Sequence, residues 1–149
     1  MADHRDRRLD AFDVLVGEWV LGDPAAPVGR TTFEWLEGGF FLIQRWTVDI
    51  PEAPDGIAVY GLDPAGDRIV QHFYDSRGVQ RMYETSLENG VWSLTREVDD
   101  YTSDFSQRFT GRVSADGSTI TGAWETSFDG ATWEHDFDLV YSTVPVSRG

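Results

Sequence analysis

The sequence predicts an all-β protein: a single antiparallel meander β-barrel of about ten strands with one short N-terminal helix. Three observations carry this. From Trp19 onward apolar residues recur with a period of two, in short runs rich in aromatic and β-branched side chains. Tight-turn sequences separate the runs: Gly38-Gly39, Asp63-Pro64-Ala65-Gly66, Asp75-Ser76-Arg77-Gly78, Asn89-Gly90, Asp116-Gly117 and Asp129-Gly130. A meander also has two edges to hide, and closure into a barrel removes both. A barrel of this size has an interior wider than side chains alone fill, so a cavity is expected. The 149 residues read as one domain, with the helix at about 6–16 and strands over about 18–142.

The helix comes first. Leu9, Phe12 and Val16 recur at helical spacing among charged residues, and Gly17 supplies the stop. Trp19 then opens the first strand and reads as a plug for one barrel end.

Composition excludes several roles. The chain has 26 acidic and 12 basic residues, every basic one an arginine, for a formal net charge of −14. Such a surface repels phosphate backbones and anionic membranes, so neither nucleic acid nor membrane is an expected partner. Without cysteine there is no disulfide, thiolate nucleophile or thiolate-bound metal, and without lysine no side-chain Schiff base. No apolar run approaches a membrane span, and MADHRDRRLD lacks the apolar core of a signal peptide. A cytoplasmic protein is the expectation.

Gly17-Glu18-Trp19, placed after a short helix, resembles the Gly-x-Trp opening of calycin barrels, the superfamily of lipocalins, fatty-acid-binding proteins and nitrobindins. The run LVGEW…GRTTFEWLEGGFFL is similar to the start of bacterial lipocalin-like domains and, more distantly, to nitrobindin-like proteins. The length of the meander agrees over essentially the whole chain. The resemblance implies a barrel that encloses a small apolar or amphipathic molecule. Arg81-Met82-Tyr83 also resembles the Arg-x-Tyr pair by which fatty-acid-binding barrels hold a carboxylate, here on a mid-chain strand. Nitrobindin-like barrels bind haem through a histidine on the last strand, where this chain has His135.

Turn chemistry sets the register. Around Asn89-Gly90, a type I′ turn pairs Leu87 with Trp92, Thr85 with Leu94 and Tyr83 with Arg96 on an inward face. Ser86, Glu88, Ser93 and Thr95 face out. Around Asp116-Gly117, Val113 meets Ile120, Phe109 meets Trp124 and Gln107 meets Thr126. Around Asp129-Gly130 the same reasoning pairs Trp133 with Thr126, His135 with Trp124 and Phe137 with Gly122. Gly38-Gly39 groups Phe33, Trp35, Leu42, Gln44 and Trp46, with Glu34 outside near Arg45. Asp75-Ser76-Arg77-Gly78 reads as a type I turn with a glycine bulge. It sets Ile69, Gln71 and Phe73 inward with Arg81 and Tyr83, and His72 and Tyr74 outward. A one-residue change in the bulge exchanges those faces and pairs Val70, His72 and Tyr74 with Ala58, Tyr60 and Leu62.

The inferred lumen is aromatic, with Phe33, Trp35, Trp46, Phe73, Trp92, Phe105, Phe109, Trp124, Trp133 and Phe137. Set into it are Gln44, Gln71, Arg81, Tyr83, Arg96, Gln107, Thr126 and His135. The expected ligand-binding residues are Arg81, Tyr83, Arg96, Gln107, Gln44, Gln71, Trp35, Trp46, Trp124 and His135. A buried arginine keeps its proton and is costly without an anion, and the assigned strands aim almost no carboxylate inward. An anionic group on the ligand would balance the charge; the alternative has Arg81 reach the rim, to water or Asp99. On this reading Arg96→Met weakens an anionic ligand and leaves folding intact. Glu125, Glu134, Asp136 and Asp138 alternate toward solvent, so no metal site is expected there.

Three function classes follow. The first is a binding protein for a small hydrophobic, anionic or amphipathic molecule, needing no cofactor, with a homodimer left open. The second is a cofactor-free barrel enzyme of cyclase or isomerase type, with Tyr83, His135 or His72 as acid or base. The third, implied by the resemblance alone, is a haem protein.

Overall fold

The structure, a computed structural model, describes residues 5–96 and 105–144. It is a closed antiparallel barrel in which each strand pairs with its neighbours in sequence and the last with the first. The strands are β1 (Gly17–Leu21), β2 (Gly29–Trp35), β3 (Leu42–Val48), β4 (Gly56–Leu62), β5 (Ile69–Asp75), β6 (Gln80–Glu88), β7 (Val91–Arg96), β8 (Ser106–Val113), β9 (Thr119–Ser127) and β10 (Glu134–Thr143). The expected fold class is therefore what the chain adopts.

The helix is shorter and tighter than its sequence period suggests. α1 spans Arg7–Asp10, capped by Asp6 accepting from the Arg8 N–H, and continues as a 3-10 turn over Ala11–Leu15. Three residues per turn put Leu9, Phe12 and Leu15 on one stripe, all buried, and leave Val16 44% exposed. That stripe covers one end of the barrel. Arg8 donates to the carbonyls of Gly66 and Asp67, and Arg5 to that of Gly39, so the helix is tied to two turns at that end. Trp19 is buried and its indole N–H donates to the Leu15 carbonyl at 2.7 Å, which makes it the plug expected there.

Most of the register follows the turns. Asn89 and Gly90 both have positive φ (52° and 76°), as a type I′ turn requires, and Leu87 faces Trp92. Gln71 faces Tyr83 and His72 faces Met82, so His72 and Tyr74 lie outside. On the other side of β5, Ala58 faces Phe73 and Tyr60 faces Gln71, which excludes the exchanged pairing.

The β9–β10 hairpin departs from expectation. Asp129 accepts from the backbone N–H groups of Ala131 and Thr132 and from the Ser127 hydroxyl, so the loop is wide rather than a two-residue turn. Glu134, not Trp133, faces Thr126; a bulge between His135 and Phe137 then brings Phe137 opposite Trp124. His135 consequently faces Glu125 on the outer surface. Trp133 also lies outside, with the Arg108 guanidinium 4.2 Å above its ring.

The interior near the helix is filled rather than hollow. Trp92, Tyr60, Phe33 and Phe109 are at most 1–2% exposed and meet at ring separations of 5.2–6.3 Å. The expected cavity does not extend into this half, because these large side chains reach the barrel axis from several strands.

Three turn aspartates give the fold an acid sensitivity. Hydrogen bonds from Ser118 and Ser114 hold the Asp116 carboxyl down at about 2. Backbone N–H groups of Thr132 and Ala131 pull Asp129 well below the usual carboxylate range. For Asp75, burial pushes upward but is outweighed by Arg77 and backbone donors, and the net shift is down. A depressed folded pKa stabilises above the unfolded value of about 4 and loses that contribution as pH falls through the folded value. The melting temperature, followed by circular dichroism, is expected to drop between pH 4 and 2, with a smaller drop in Asp116→Ala. A midpoint constant across that window contradicts the assignment.

Candidate functional site

At the end away from the helix, two arginines meet a buried tyrosine. Register alternation brings Arg81 and Tyr83 inward on β6 and Arg96 inward on β7, and Gln107 follows from the Arg96–Gln107 pairing with β8. The Tyr83 hydroxyl donates to Gln107 Oε1 at 2.9 Å, and Arg96 Nε donates to the same oxygen at 3.2 Å. Arg96 Nη2 donates to the Phe105 carbonyl at 2.8 Å. Tyr83 is 1% exposed, and Arg96 2%. Burial pushes the Tyr83 phenol upward, opposed by the nearby positive charges of Arg81 and Arg96; the net shift is up. Tyr83 is thus a neutral hydroxyl at ordinary pH, suited to orienting a polar group.

Arg81 differs from Arg96. Its guanidinium carbon lies 5.7 Å from the Phe73 ring centroid and 5.6 Å from that of Phe105, between two aromatic faces. Its Nε is buried with no hydrogen-bond partner among the described residues. No ion pair among those residues includes it. Asp99, the rim carboxylate considered for Arg81, lies outside the described residues.

Aromatic rings surround this cluster. Trp46 stacks on Phe73 at 5.3 Å, and Phe73 and Trp124 each meet Tyr83 edge-on at 6.2 and 5.6 Å. Phe137, 47% exposed, lies 6.4 Å from Trp124 in a stacked arrangement. Gln44 and Gln71 run deeper, in a hydrogen-bonded chain. Gln71 Nε2 donates to the Tyr60 hydroxyl, that hydroxyl to Gln44 Oε1, and Gln44 Nε2 to the Thr31 hydroxyl, at 2.8, 2.6 and 3.1 Å. Gln71 Oε1 is buried without a partner among the described residues. Since Gln71 faces Tyr83 across the β5–β6 pair, the chain ends directly beside the arginine cluster.

Eight of the ten expected site residues thus belong to this half or to the chain leading into it, and two do not. Trp35 lies at the helix end, where its indole N–H donates to Asp13 at 2.8 Å and the Arg5 guanidinium covers its ring at 4.0 Å. His135 is on the outer surface with Nε2 2.8 Å from Asp138 Oδ1 and a side chain 59% exposed. A haem ligand directed into the barrel does not fit this imidazole. It lines instead a shallow groove of about 320 Å³ with Phe105, Thr126, Phe128, Glu134 and Asp136. Glu125, from the outward acidic set, pairs with Arg108 at 2.8 Å. Thr31 and Tyr60 were missed as members of the polar chain; the inward alternation of β2 and β4 carried that signal.

Fold and site together define a class: a ten-stranded antiparallel meander barrel, covered at one end by an N-terminal helix, with an arginine–tyrosine cluster at the other. Among solved structures, the chain is similar to Rv2717c from M. tuberculosis, with a TM-score of 0.62 and 13% sequence identity, covering 95% of this chain and 100% of that one. At this identity the likeness is one of fold. No protein-family model matches the chain, and no curated protein matches it.

Proposed function

We propose that the protein binds a small hydrophobic molecule carrying an anionic or strongly electron-rich group, as a calycin-like barrel of the cytoplasm. Arg81 is the anchor, Tyr83 orients the polar group, and Trp46, Phe73 and Trp124 hold the apolar body. The observation that carries this reading is the buried Arg81 Nε, without a partner among the described residues and set between the rings of Phe73 and Phe105. A desolvated donor of a charged group is expensive to leave unpaired, and a carboxylate or enolate oxygen would satisfy it. Arg96 takes a different part from the one first expected: its donors to Gln107 and Phe105 hold the site together. Neither histidine considered as an acid or base supports the enzyme reading, because His72 and His135 both stand outside the barrel. Among the described residues no helix is long and apolar enough to cross a membrane.

The test is a tryptophan-quenching titration with hydrophobic acids and their neutral methyl esters, for which Trp46 and Trp124 supply reporters beside Arg81. The wild type is expected to bind an acid more tightly than its ester, and Arg81→Met to remove the difference. Charge-assisted hydrogen bonds worth about 1.5–3 kcal/mol make this at least a roughly tenfold loss for the acid. Equal binding of acid and ester by the wild type removes the anchor role and leaves an apolar site.

A further inference from the structure

The outer wall of the barrel has two different faces. Over β7–β9 the outward side chains are mostly polar, Ser93, Thr95, Arg108, Thr110, Thr121 and Glu125, with Val91 and Ala123 among them. Over β3–β6 an apolar band runs around His72, between Arg45 and Gln80 on one side and Glu84 on the other. Ile43 faces Val59, Val59 faces His72, and His72 faces Met82, a continuous outward row across four adjacent strands. One step along the strands Ile57 faces Tyr74, and these are 41% and 39% exposed. On the other side of the row Phe41, 44% exposed, lies against the backbone of Gly61, where an added Cβ would come within 2.6 Å of its ring. Phe41 is therefore seated flat on β4, and any larger residue at 61 would lift it.

In a chain of net charge −14 the described residues place no carboxylate at the centre of this wall, where His72 stands. Among the described residues two exposed ion pairs stand at its diagonal corners: Arg45, opposite Ile57, with Glu34, and Glu84, opposite Val70, with Arg68, each at 3.3 Å. A half-buried band of this continuity, flanked by exposed Phe41, Ile57 and Tyr74, marks an interaction site rather than a solvated wall. Among the described residues the closed barrel has no free strand edge, so association through them is face to face.

We propose that this wall is the interface of a homodimer. The borders select a second copy. A two-fold axis midway between the ion pairs sets the Arg45–Glu34 end of one protomer against the oppositely ordered Arg68–Glu84 end of the other. Arg45 then meets Glu84 of the partner subunit while the apolar rows cover each other. A phosphate-rich or anionic lipid surface is instead repelled by the rest of the molecule. This inference is independent of the ligand reading.

The test is sedimentation velocity of the full chain over about 1–100 µM, the range in which a modest interface assembles. Wild type is expected to dimerise. Ile57→Asp sets a carboxylate into the apolar contact twice, once per protomer, opposite an Arg45 already paired with Glu34, and should weaken association by about tenfold or more. Thr110→Asp, on the opposite wall, should leave it unchanged. Arg45→Glu should weaken the dimer, and the added Glu84→Arg should restore it. Near-ultraviolet circular dichroism checks that each variant is folded; Tyr74→Asp replaces Ile57→Asp if the latter is not. A wild type that stays monomeric throughout, or a dimer indifferent to Ile57→Asp and Tyr74→Asp, overturns the proposal.

Discussion

Replacing Trp92 by alanine is expected to lower the free energy of unfolding by about 3–5 kcal/mol, the largest loss of any single truncation in the barrel. Trp92 is 1% exposed and lies between Phe33, Tyr60, Phe109 and Tyr141, at ring separations of 6.0, 6.3, 5.2 and 5.6 Å. Those four rings come from different strands of a closed hydrogen-bonded wall, which limits how far they can move into the space left behind. Removing the indole therefore loses both its transfer free energy and the contacts on every side. The Trp92 N–H itself has no partner among the described residues, so Trp92→Phe orphans no acceptor and should cost much less. Urea unfolding of the two variants measures the difference. A loss below about 1 kcal/mol for alanine would mean that the helix end is not the packed core described here.

The second large effect falls on Arg96. Arg96→Met is expected to destabilise the fold by about 2–4 kcal/mol, contrary to the sequence-based expectation that folding is left intact. Arg96 is 2% exposed and donates to the Phe105 carbonyl and to Gln107 Oε1. Methionine fills part of the volume and donates nothing. The Phe105 carbonyl then loses this donor at the start of β8, while Gln107 keeps the Tyr83 hydroxyl. Arg81→Met, whose Nε had no partner among the described residues, should cost less stability and more ligand affinity. Urea midpoints beside the quenching titration separate the two arginines. Equal destabilisation by both substitutions would contradict their assignment to different tasks.

Much of this is legible in the amino-acid sequence. Period-two alternation and the Asn89-Gly90 turn placed Tyr83, Arg96, Leu87 and Trp92 on one face, and the structure has them there. Arg81, Gln71 and Phe73 were sorted from His72 and Tyr74 by a single glycine bulge at Gly78, whose φ is 81°. The Asp129-Gly130 hairpin was misread because the aspartate caps its own loop. An Asp-Gly pair promises a two-residue turn only when the aspartate side chain is not already holding a wider one. The wider loop and the bulge after it move His135 and Trp133 from the expected lumen to the outer surface.

What the sequence determined by itself was the side of the sheet each residue occupies, since alternation and turn type are local properties of the chain. Height along the barrel axis was decided by tertiary structure. Trp35 and Arg81 share the inward alternation, yet one is pinned to Asp13 under the helix and the other sits between Phe73 and Phe105 at the opposite end. Strand tilt and the stagger of a closed barrel set those heights, and both arise from pairing the first strand with the last. The division between a filled half and an arginine-bearing half follows from the same closure, because it decides which large side chains meet at the axis and which polar ones are left to face a ligand.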